Sequence, residues 1–156
     1  MKTKYLLLIM CILSINIAYA QNNTFKSLFE KYESEDDVTI ISISKAMFNM
    51  MSGNINTGDV DLKNITPKME SLLIMTSDKS KIKDKMALEF KSLIEKDKNY
   101  EQLMRIREGK SNVIFNAKKN GNIINELIMF VDDENEFVVI QILGNFTVED
   151  IQKITQ

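Results

Sequence analysis

The most regular pattern of hydrophobic and polar positions spans residues 100–146 and predicts four consecutive β-strands. Three turn segments interrupt it: Glu108-Gly109-Lys110, Asn120-Gly121 and the acidic loop 132–136. Asn-Gly between two apolar runs is a strong hairpin signal, because glycine accepts a positive φ and asparagine tolerates it. The apolar runs are 103–106, 113–117, 127–131 and 137–143. Together they predict an antiparallel meander at the centre of the fold.

Before the meander, three segments place apolar residues at helical spacing. In the first segment, Thr24 is a natural N-cap, and Phe25, Leu28, Phe29 and Tyr32 share one face. This aromatic face either docks a partner or packs on the sheet of the same chain. We expect it to pack on the sheet.

A shorter helix is predicted for residues 44–51, where Met47, Phe48 and Met50 recur at helical spacing. A methionine-rich surface can bind many partners, but methionine at helical spacing more often fills a core. We therefore expect these methionines to be core residues.

The longest predicted helix has Ser77 or Asp78 as its cap and ends near Lys96. Lysines and acidic residues occupy most of its positions, so we expect it to pack through a single apolar stripe. The stripe consists of Ile82, Met86, Phe90, Leu93 and Ile94.

The runs 38–43 and 72–76 are apolar, the first of them largely β-branched, and they predict two buried strands. Between them, segment 52–64 has the glycine, asparagine and aspartate content of a loop. Pro67 follows and opens a brief helical turn.

The predicted order is helix, strand, helix, strand, helix, four strands, helix. Thr147 and Asp150 have the spacing of a capping box at the start of the last helix, 147–154. Strand–helix–strand steps favour parallel pairing, whereas the hairpins are antiparallel. We therefore predict an α+β fold: a two-layer sandwich of a mixed, mostly antiparallel sheet with helices mainly on one face.

Residues 1–20 have the three regions of a secretory signal peptide in their usual order. A basic start with Lys2 and Lys4 precedes an apolar run at 6–18, and Ala18-Tyr19-Ala20 is a small-x-small cleavage motif. The apolar run is shorter than the roughly 20 residues that a membrane-spanning helix needs. The pattern predicts a removed signal rather than an anchor.

Cleavage between Ala20 and Gln21 leaves one domain at 21–156, exported through the inner membrane to the periplasm or beyond it. Cys11 does not fit a lipid acceptor, because two large residues precede it and the apolar run continues past it. We therefore expect no lipid anchor and no transmembrane span in the mature chain.

The chain contains no histidine and no tryptophan, and its single cysteine lies inside the signal. Loss of the signal removes two of 20 basic residues and none of 22 acidic ones, so the acidic excess rises from two to four. The two signs are interspersed along the chain, which disfavours nucleic-acid binding. Without thiolate or imidazole, zinc and iron–sulfur sites are excluded, and we predict no cofactor.

Asp132, Asp133, Glu134 and Glu136 form the densest carboxylate cluster of the chain. Oxygen ligands suit calcium, so weak calcium binding is one hypothesis for these four residues. The interpretation that we favour is a hydrated hairpin tip that discourages pairing at the sheet edge. No metal site and no catalytic residue is predicted.

Alternation along the predicted strands gives the sheet one face that mixes polar and apolar side chains. Arg105 and Arg107 share that face in one strand, Lys118 occupies it in the next, and Gln141 occupies it in the last. The face is either the solvated side of an antiparallel sheet or a surface for recognition or self-association. These four residues are our candidates for an interaction face.

Several short motifs occur in a characteristic succession. They are Asp36-Asp37-Val38, Ser44-Lys45-Ala46-Met47-Phe48, Met69-Glu70-Ser71-Leu72, Tyr100-Glu101-Gln102-Leu103-Met104 and Glu126-Leu127-Ile128-Met129, followed by the strand 137–144. This succession resembles the family of domain of unknown function 4252 over about residues 25–155. The resemblance implies a small exported protein of Bacteroidota, and it brings no established activity and no catalytic residues.

The leading hypothesis is a non-enzymatic envelope protein that binds another envelope protein or assembles with itself. The alternatives are a carboxylate-dependent enzyme acting on an envelope polymer and a small-ligand carrier with a pocket between helices and sheet. A deep cleft holding two carboxylates in apolar surroundings would favour the enzyme. A flat, partly apolar open sheet face would favour the interaction protein.

Overall fold

The computed structural model describes residues 24–51 and 66–152. Its helices are α1 (Thr24–Tyr32), α2 (Lys45–Met51), α3 (Ser80–Lys96) and α4 (Val148–Gln152), and a 3₁₀ turn occupies Thr66–Lys68. Its strands are β1 (Thr39–Ser44), β2 (Met69–Ser77), β3 (Tyr100–Glu108), β4 (Ser111–Asn120), β5 (Ile123–Asp132) and β6 (Phe137–Phe146). The signal with its cleavage site and the loop predicted at 52–64 lie outside the described residues.

The six strands form one sheet in the order β1-β2-β6-β5-β4-β3. Every neighbouring pair is antiparallel. The α+β two-layer class is confirmed, but the parallel component predicted from the strand–helix–strand steps was wrong. Ser44 at the end of β1 pairs with Ser71 near the start of β2, so the chain re-enters the sheet at the end where it left it. That return reverses the strand direction.

Helix α3 carries the chain across the sheet from β2 to the far edge strand β3. Four strand spacings of about 4.8 Å separate these strands, or about 19 Å. The helix has 17 residues. At a rise of about 1.5 Å per residue, this length is sufficient for the crossing. The crossing lays the apolar stripe of α3 over the central strands.

An aromatic cluster joins α1 to α3 above the sheet. The Phe90 ring centroid lies 5.2 Å from that of Phe25, 5.4 Å from that of Phe29 and 6.1 Å from that of Tyr32. All four side chains are buried, and so is Met86. Beneath them lie the core residues Met75, Ile128, Phe130, Phe137 and Val139. The predicted packing of both apolar faces is confirmed.

A polar contact also fastens α1 to α3. Glu89 accepts a hydrogen bond from Lys31 Nζ at 2.6 Å and another from the Tyr32 hydroxyl at 3.0 Å. Burial alone would raise the Glu89 pKa, but the hydrogen bonds from Lys31 and Tyr32 hold it below its ordinary value. Burial, followed by the bond to Glu89, raises the Tyr32 pKa.

Two predictions of burial were wrong. The first strand is the edge strand β1, and its Ile41 side chain is 47% exposed. In α2, Met47 and Met50 are 45% and 68% exposed, while Phe48 is 4% exposed. One aromatic residue therefore anchors this seven-residue helix, and the methionines beside it do not enter the core.

The start of α3 also differs from its prediction. The helix begins at Ser80, and the preceding Lys79 makes no side-chain cap. Ser77 ends β2 instead; its hydroxyl donates to the Asp37 carbonyl at 2.8 Å and accepts from the Lys79 N–H at 3.3 Å. The serine therefore closes the turn between β2 and α3 and does not cap the helix.

The two short hairpins turn at glycine. Gly109 and Gly121 have φ values of 57° and 61°, and no other described residue has a positive φ. Each glycine is the first residue of a two-residue loop, and Asn120 remains in β4. The Asn-Gly prediction therefore placed the second turn one residue too early. A single positive φ at the first loop position is the pattern of a type II′ turn.

The predicted 3₁₀ turn and closing helix are both present, and they meet. The Thr147 N–H donates to Asp150 Oδ2 at 2.8 Å and the Asp150 N–H donates to Thr147 Oγ1 at 3.2 Å, which confirms the capping box. Lys68 Nζ lies 2.7 Å from Asp150 Oδ1. The hydrogen bond from Lys68 lowers the Asp150 pKa, and the Thr147 N–H adds to this effect.

Candidate functional site

The face of the sheet opposite α1 and α3, which we call the open face, carries three rows of side chains across all six strands. Register places Thr39, Thr76, Val138, Val131, Val113 and Ile106 in the first row, Ile41, Ile74, Ile140, Met129, Phe115 and Met104 in the second, and Ile43, Leu72, Ile142, Leu127, Ala117 and Glu101 in the third. Only Thr39, Thr76 and Glu101 are polar. An antiparallel sheet with one solvated face usually carries polar side chains there.

The first two rows of the open face are accessible. None of their side chains is buried, and Ile41, Met104 and Ile106 are 47%, 46% and 47% exposed. On the opposite face of the same central strands, Phe130 and Val139 are 1% and 0% exposed. A large contiguous apolar patch that is accessible to solvent is a feature of protein and membrane interaction sites and of ligand-binding grooves.

The third row ends against a smaller core, which we call the capped end of the sheet. Phe146, Ile124, Leu127 and Ala117 are buried together there. The 3₁₀ turn packs on the β6 backbone at Gly144, where an added Cβ would clash with the Lys68 carbonyl oxygen. Within the described residues, the open face is therefore closed at this end only.

The opposite end of the sheet, which we call the acidic end, collects carboxylates. Asp36, Asp37, Glu108 and Glu136 flank the strand termini there, and none of them makes an ion pair with another described residue. At the capped end stand Lys45, at the start of α2, and Lys119, which lies 2.6 Å from Glu101. The open face is thus neutral in its middle and acidic at one end.

The four candidates for an interaction face, Arg105, Arg107, Lys118 and Gln141, lie on the other, helix-bearing face. Register fixes this placement, because Arg105 is paired with the core residue Ile114. All of β3 is exposed apart from Tyr100, since α1 and α3 cover the central strands and leave this edge open. The polar positions therefore mark where helix cover ends, and their role as an interaction face stays a prediction.

Two of these residues meet in one network at the capped end of the helix-bearing face. Gln141 Nε2 donates to Glu126 Oε1 at 2.7 Å, and Lys118 Nζ lies 3.6 Å from Glu126 Oε2. Lys118 also lies 2.9 Å from Asp97 Oδ2 and 4.3 Å from the Tyr100 ring centroid. Burial, followed by the Glu126 charge, raises the Tyr100 pKa. The network ties the end of α3 to β3, β4 and β6.

Arg105 lies in a separate recess between α3 and the outer strands. The recess has a cavity volume of about 190 Å³. Its polar lining includes Lys91, Gln102, Asn112 and Asn116, with Phe130 at its base. Asn112 Oδ1 is buried there and has no hydrogen-bond partner among the described residues. Arg107 does not line the recess.

The acidic cluster of the β5–β6 hairpin is engaged by lysines and backbone amides. Asp132 pairs with Lys91, and Glu134 pairs with Lys110. Asp133 Oδ1 accepts from the backbone N–H groups of Glu136 and Asn135 at 2.8 and 2.7 Å, and these bonds lower the Asp133 pKa. Calcium binding at Asp132, Asp133, Glu134 and Glu136 would have to displace these partners, and it stays a prediction.

Within residues 24–51 and 66–152, no group of three or more acidic side chains converges in a way that could hold a metal ion. None of the helices described there has the length and apolar character needed to cross a membrane.

Sequence reasoning did not anticipate that the open face would be the apolar one. A signal for it is present in β5 and β6, where apolar residues occupy odd-numbered and even-numbered positions alike, as in 127–131 and 137–140. A strand with one solvated face alternates, whereas an uninterrupted apolar run indicates a strand in contact on both faces. The missing alternation in these two runs is therefore the sequence signal of the open face.

Comparison with known proteins adds the family. A family model described as Domain of unknown function (DUF4252) matches residues 32–154. No curated protein and no solved structure matches the chain. The family match includes all six strands and spans well over half of the sequence. The chain therefore belongs to the DUF4252 family.

Proposed function

We propose that this protein is an exported, non-enzymatic interaction module whose binding surface is the open face. The observation that carries the proposal is the second row, where six apolar side chains follow one another across six strands without a polar interruption. Leaving such a row exposed to water is unfavourable, since each Å² of apolar surface removed from water contributes about 25 cal/mol of favourable free energy. Binding a partner there recovers this free energy.

The surroundings of the open face favour a protein partner over a membrane surface. Peripheral binding to anionic lipid relies on lysine and arginine around an apolar face. The open face has instead an acidic end with Asp36, Asp37, Glu108 and Glu136. These carboxylates would be repelled by an anionic bilayer, whereas a flat apolar centre with a charged border is typical of protein interfaces.

The electrostatics of the described carboxylates support a non-enzymatic role. A general acid at neutral pH needs a raised pKa. Four described carboxylates have pKa values shifted from the ordinary range, and all four are lowered: Glu89, Asp97, Asp133 and Asp150. The cause is hydrogen bonds that lysines or backbone N–H groups donate to them. These groups hold α1, α3, α4 and the β5–β6 hairpin in place, which is a structural task.

Export is the second part of the proposal, and it rests on the signal pattern of residues 1–20. N-terminal sequencing of the protein from the envelope fraction of its host is expected to begin at Gln21. An intact Met1 in the cytosolic fraction would overturn the export proposal and leave the binding surface as a separate question.

The binding surface can be tested by site-specific photo-crosslinking in the native host. A photoreactive residue at Met129, in the middle of the open face, is expected to form a discrete protein adduct. The matched control is Leu88, which is 71% exposed on the outer side of α3 and should form none. Adducts to lipid alone, or equal labelling from both positions, would contradict a protein-binding open face.

The recess beside Arg105 favours a second candidate function, the binding of a small carboxylate ligand. Arg105 supplies positive charge there, and the side-chain amides of Gln102 and Asn116 can donate hydrogen bonds to a carboxylate. Titration of the ¹⁵N-labelled protein with acetate and succinate would test it. Saturable shifts confined to β3, β4 and α3, and lost in Arg105→Gln, would support the recess as a site; their absence would remove it.

A further inference from the structure

We propose that the partner of the open face is a second copy of this chain, with the two sheets packed face to face and their strands running in opposite directions. This inference rests on the proposed function, because it names the protein that covers the open face. Three properties of that face carry it: its area, the charges at its two ends, and its symmetry.

The area of the open face suits a dimer. Six strands about 4.8 Å apart make a surface about 29 Å wide, and three rows about 6.8 Å apart make it about 20 Å long. The product is about 600 Å² per copy; the buried Leu127 and Ala117 of the third row contribute little to it, and side-chain relief adds to it. Two copies would then bury about 1,200 Å², which reaches the range of specific interfaces. Homodimer interfaces are also the most apolar class, as this face requires.

The charges favour one orientation of the second copy. If the strands of the two copies ran in the same direction, the acidic ends would meet: Glu136, near the axis, would face its own copy, and Glu108 would face Asp37 of the other copy. If the strands run in opposite directions, each acidic end meets a capped end, with Glu108 nearest Lys119 and Asp37 nearest Lys45. Like charges across an interface are unfavourable, so the second arrangement is preferred.

The middle of the open face permits the two-fold symmetry that such a dimer needs. The face is centred between β6 and β5, where Ile140 and Met129 are paired in the second row. In a two-fold dimer each residue near the axis meets its own copy. Flexible aliphatic and thioether side chains can interdigitate with themselves there, at the spacing of about 10 Å that packed sheets adopt.

Segments of the chain outside the described residues offer less apolar surface. Segment 52–65 contains four aliphatic residues among glycine, asparagine, aspartate and threonine. The only longer apolar segment, 6–18, belongs to the predicted signal. Neither matches the fifteen apolar positions of the open face, so a second copy is the better complement.

Sedimentation velocity on the full chain as its host produces it tests the dimer. The wild type is expected to sediment as a dimer, and Met129→Lys as a monomer at the same micromolar concentration. Leu88→Lys is the matched control and should remain a dimer. Far-UV circular dichroism verifies that each variant is folded, and Met104→Lys, at a 46% exposed edge position, serves if Met129→Lys does not fold.

Zero-length carbodiimide crosslinking of a mixture of ¹⁴N- and ¹⁵N-labelled protein tests the orientation. Glu108 and Lys119 lie at opposite ends of the β3–β4 hairpin, about 27 Å apart at 3.4 Å per residue, so one chain cannot join them directly. Mixed-isotope crosslinks from Glu108 to Lys119 and from Asp37 to Lys45 are expected, because each strand then lies over its own copy. Crosslinks from Glu108 only to Lys79 of the other copy, beside the β1 edge at the acidic end, would overturn the opposite-direction arrangement.

The two proposals fail in different ways. A wild type that is monomeric at all concentrations, or a Met129→Lys variant that stays dimeric, overturns the dimer. If the photoreactive residue at Met129 then still forms an adduct with a different protein, the open face is a binding surface for another partner and only the inference about a second copy is lost. An adduct of twice the chain mass supports both proposals.

Discussion

The two faces of the sheet are built from the same six strands and have opposite surroundings. On neighbouring strands, Ile114 points to the helix-bearing face and is 8% exposed, whereas Ile106 points to the open face and is 47% exposed. The helix-bearing face is apolar under α1 and α3 and polar at the uncovered β3 edge. The open face is also apolar, although no described helix covers its first two rows. On the helix-bearing face, helices of the same chain cover the apolar side chains. On the open face, the apolar side chains predict cover by another molecule.

The largest expected effect is on the covered face. Phe90 is fully buried and contacts three aromatic rings of α1, so Phe90→Ala removes the contact that joins both helices to the sheet. We expect a loss of about 3–5 kcal/mol in the free energy of unfolding. Urea denaturation followed by circular dichroism measures it. Leu88→Ala, two residues away and exposed, should change stability by no more than about 0.5 kcal/mol.

The contrast between the faces can be tested with one residue type. Ile114→Ala should lower the free energy of unfolding by about 2–5 kcal/mol, because it leaves a cavity in the core. Ile106→Ala, at a protein concentration low enough to dissociate any complex, should lower it by about 0.5 kcal/mol or less. Equal losses under these conditions would mean that the open face is covered within a single chain.

The capped end is the part of the open face that the chain closes by itself. Gly144→Ala places a methyl group against the Lys68 carbonyl, so the 3₁₀ turn must move away from β6. We expect a loss of about 1–3 kcal/mol, as for overpacking elsewhere. Amide exchange should accelerate in residues 66–69 and in α4. Unchanged protection there would show that the turn does not depend on close approach at Gly144.

The smallest expected effect concerns pH. The Asp150 pKa is lowered in the folded protein, so its contribution to stability is present above the unfolded value of about 3.9 and disappears as pH falls through the folded value. Asp150→Asn should therefore destabilise the protein at pH 7, by about 1 kcal/mol as for other caps, and have little effect near pH 2. Urea titrations across this range measure the difference.

Asp84→Asn, an exposed helix position, is the control for the pH series and should show no such convergence. A constant gap between wild type and Asp150→Asn at every pH would contradict the ion pair with Lys68 as the cause.

The sequence alone determined the elements and their local chemistry. Helical spacing of Phe25, Phe29 and Tyr32 predicted α1, and the stripe around Phe90 predicted α3, because a helix that buries one face must repeat apolar residues at that period. Glycines marked the hairpins, and Thr147 with Asp150 marked the start of α4, because these signals act over a few residues. The motif succession also indicated the DUF4252 family, which the family match then showed.

Tertiary structure alone decided which face each strand presents and what covers it. Alternation reveals that Arg105 and Lys118 belong to one side of their strands, but it does not reveal that α1 and α3 lie on that same side. The direction of β2 depended on where the chain re-entered the sheet, and the edge position of β1 depended on which strand it joined. Burial is a property of contacts between segments distant in the chain. The unbroken apolar runs of β5 and β6 indicate contact on both faces, but only the register shows that the apolar rows continue across all six strands.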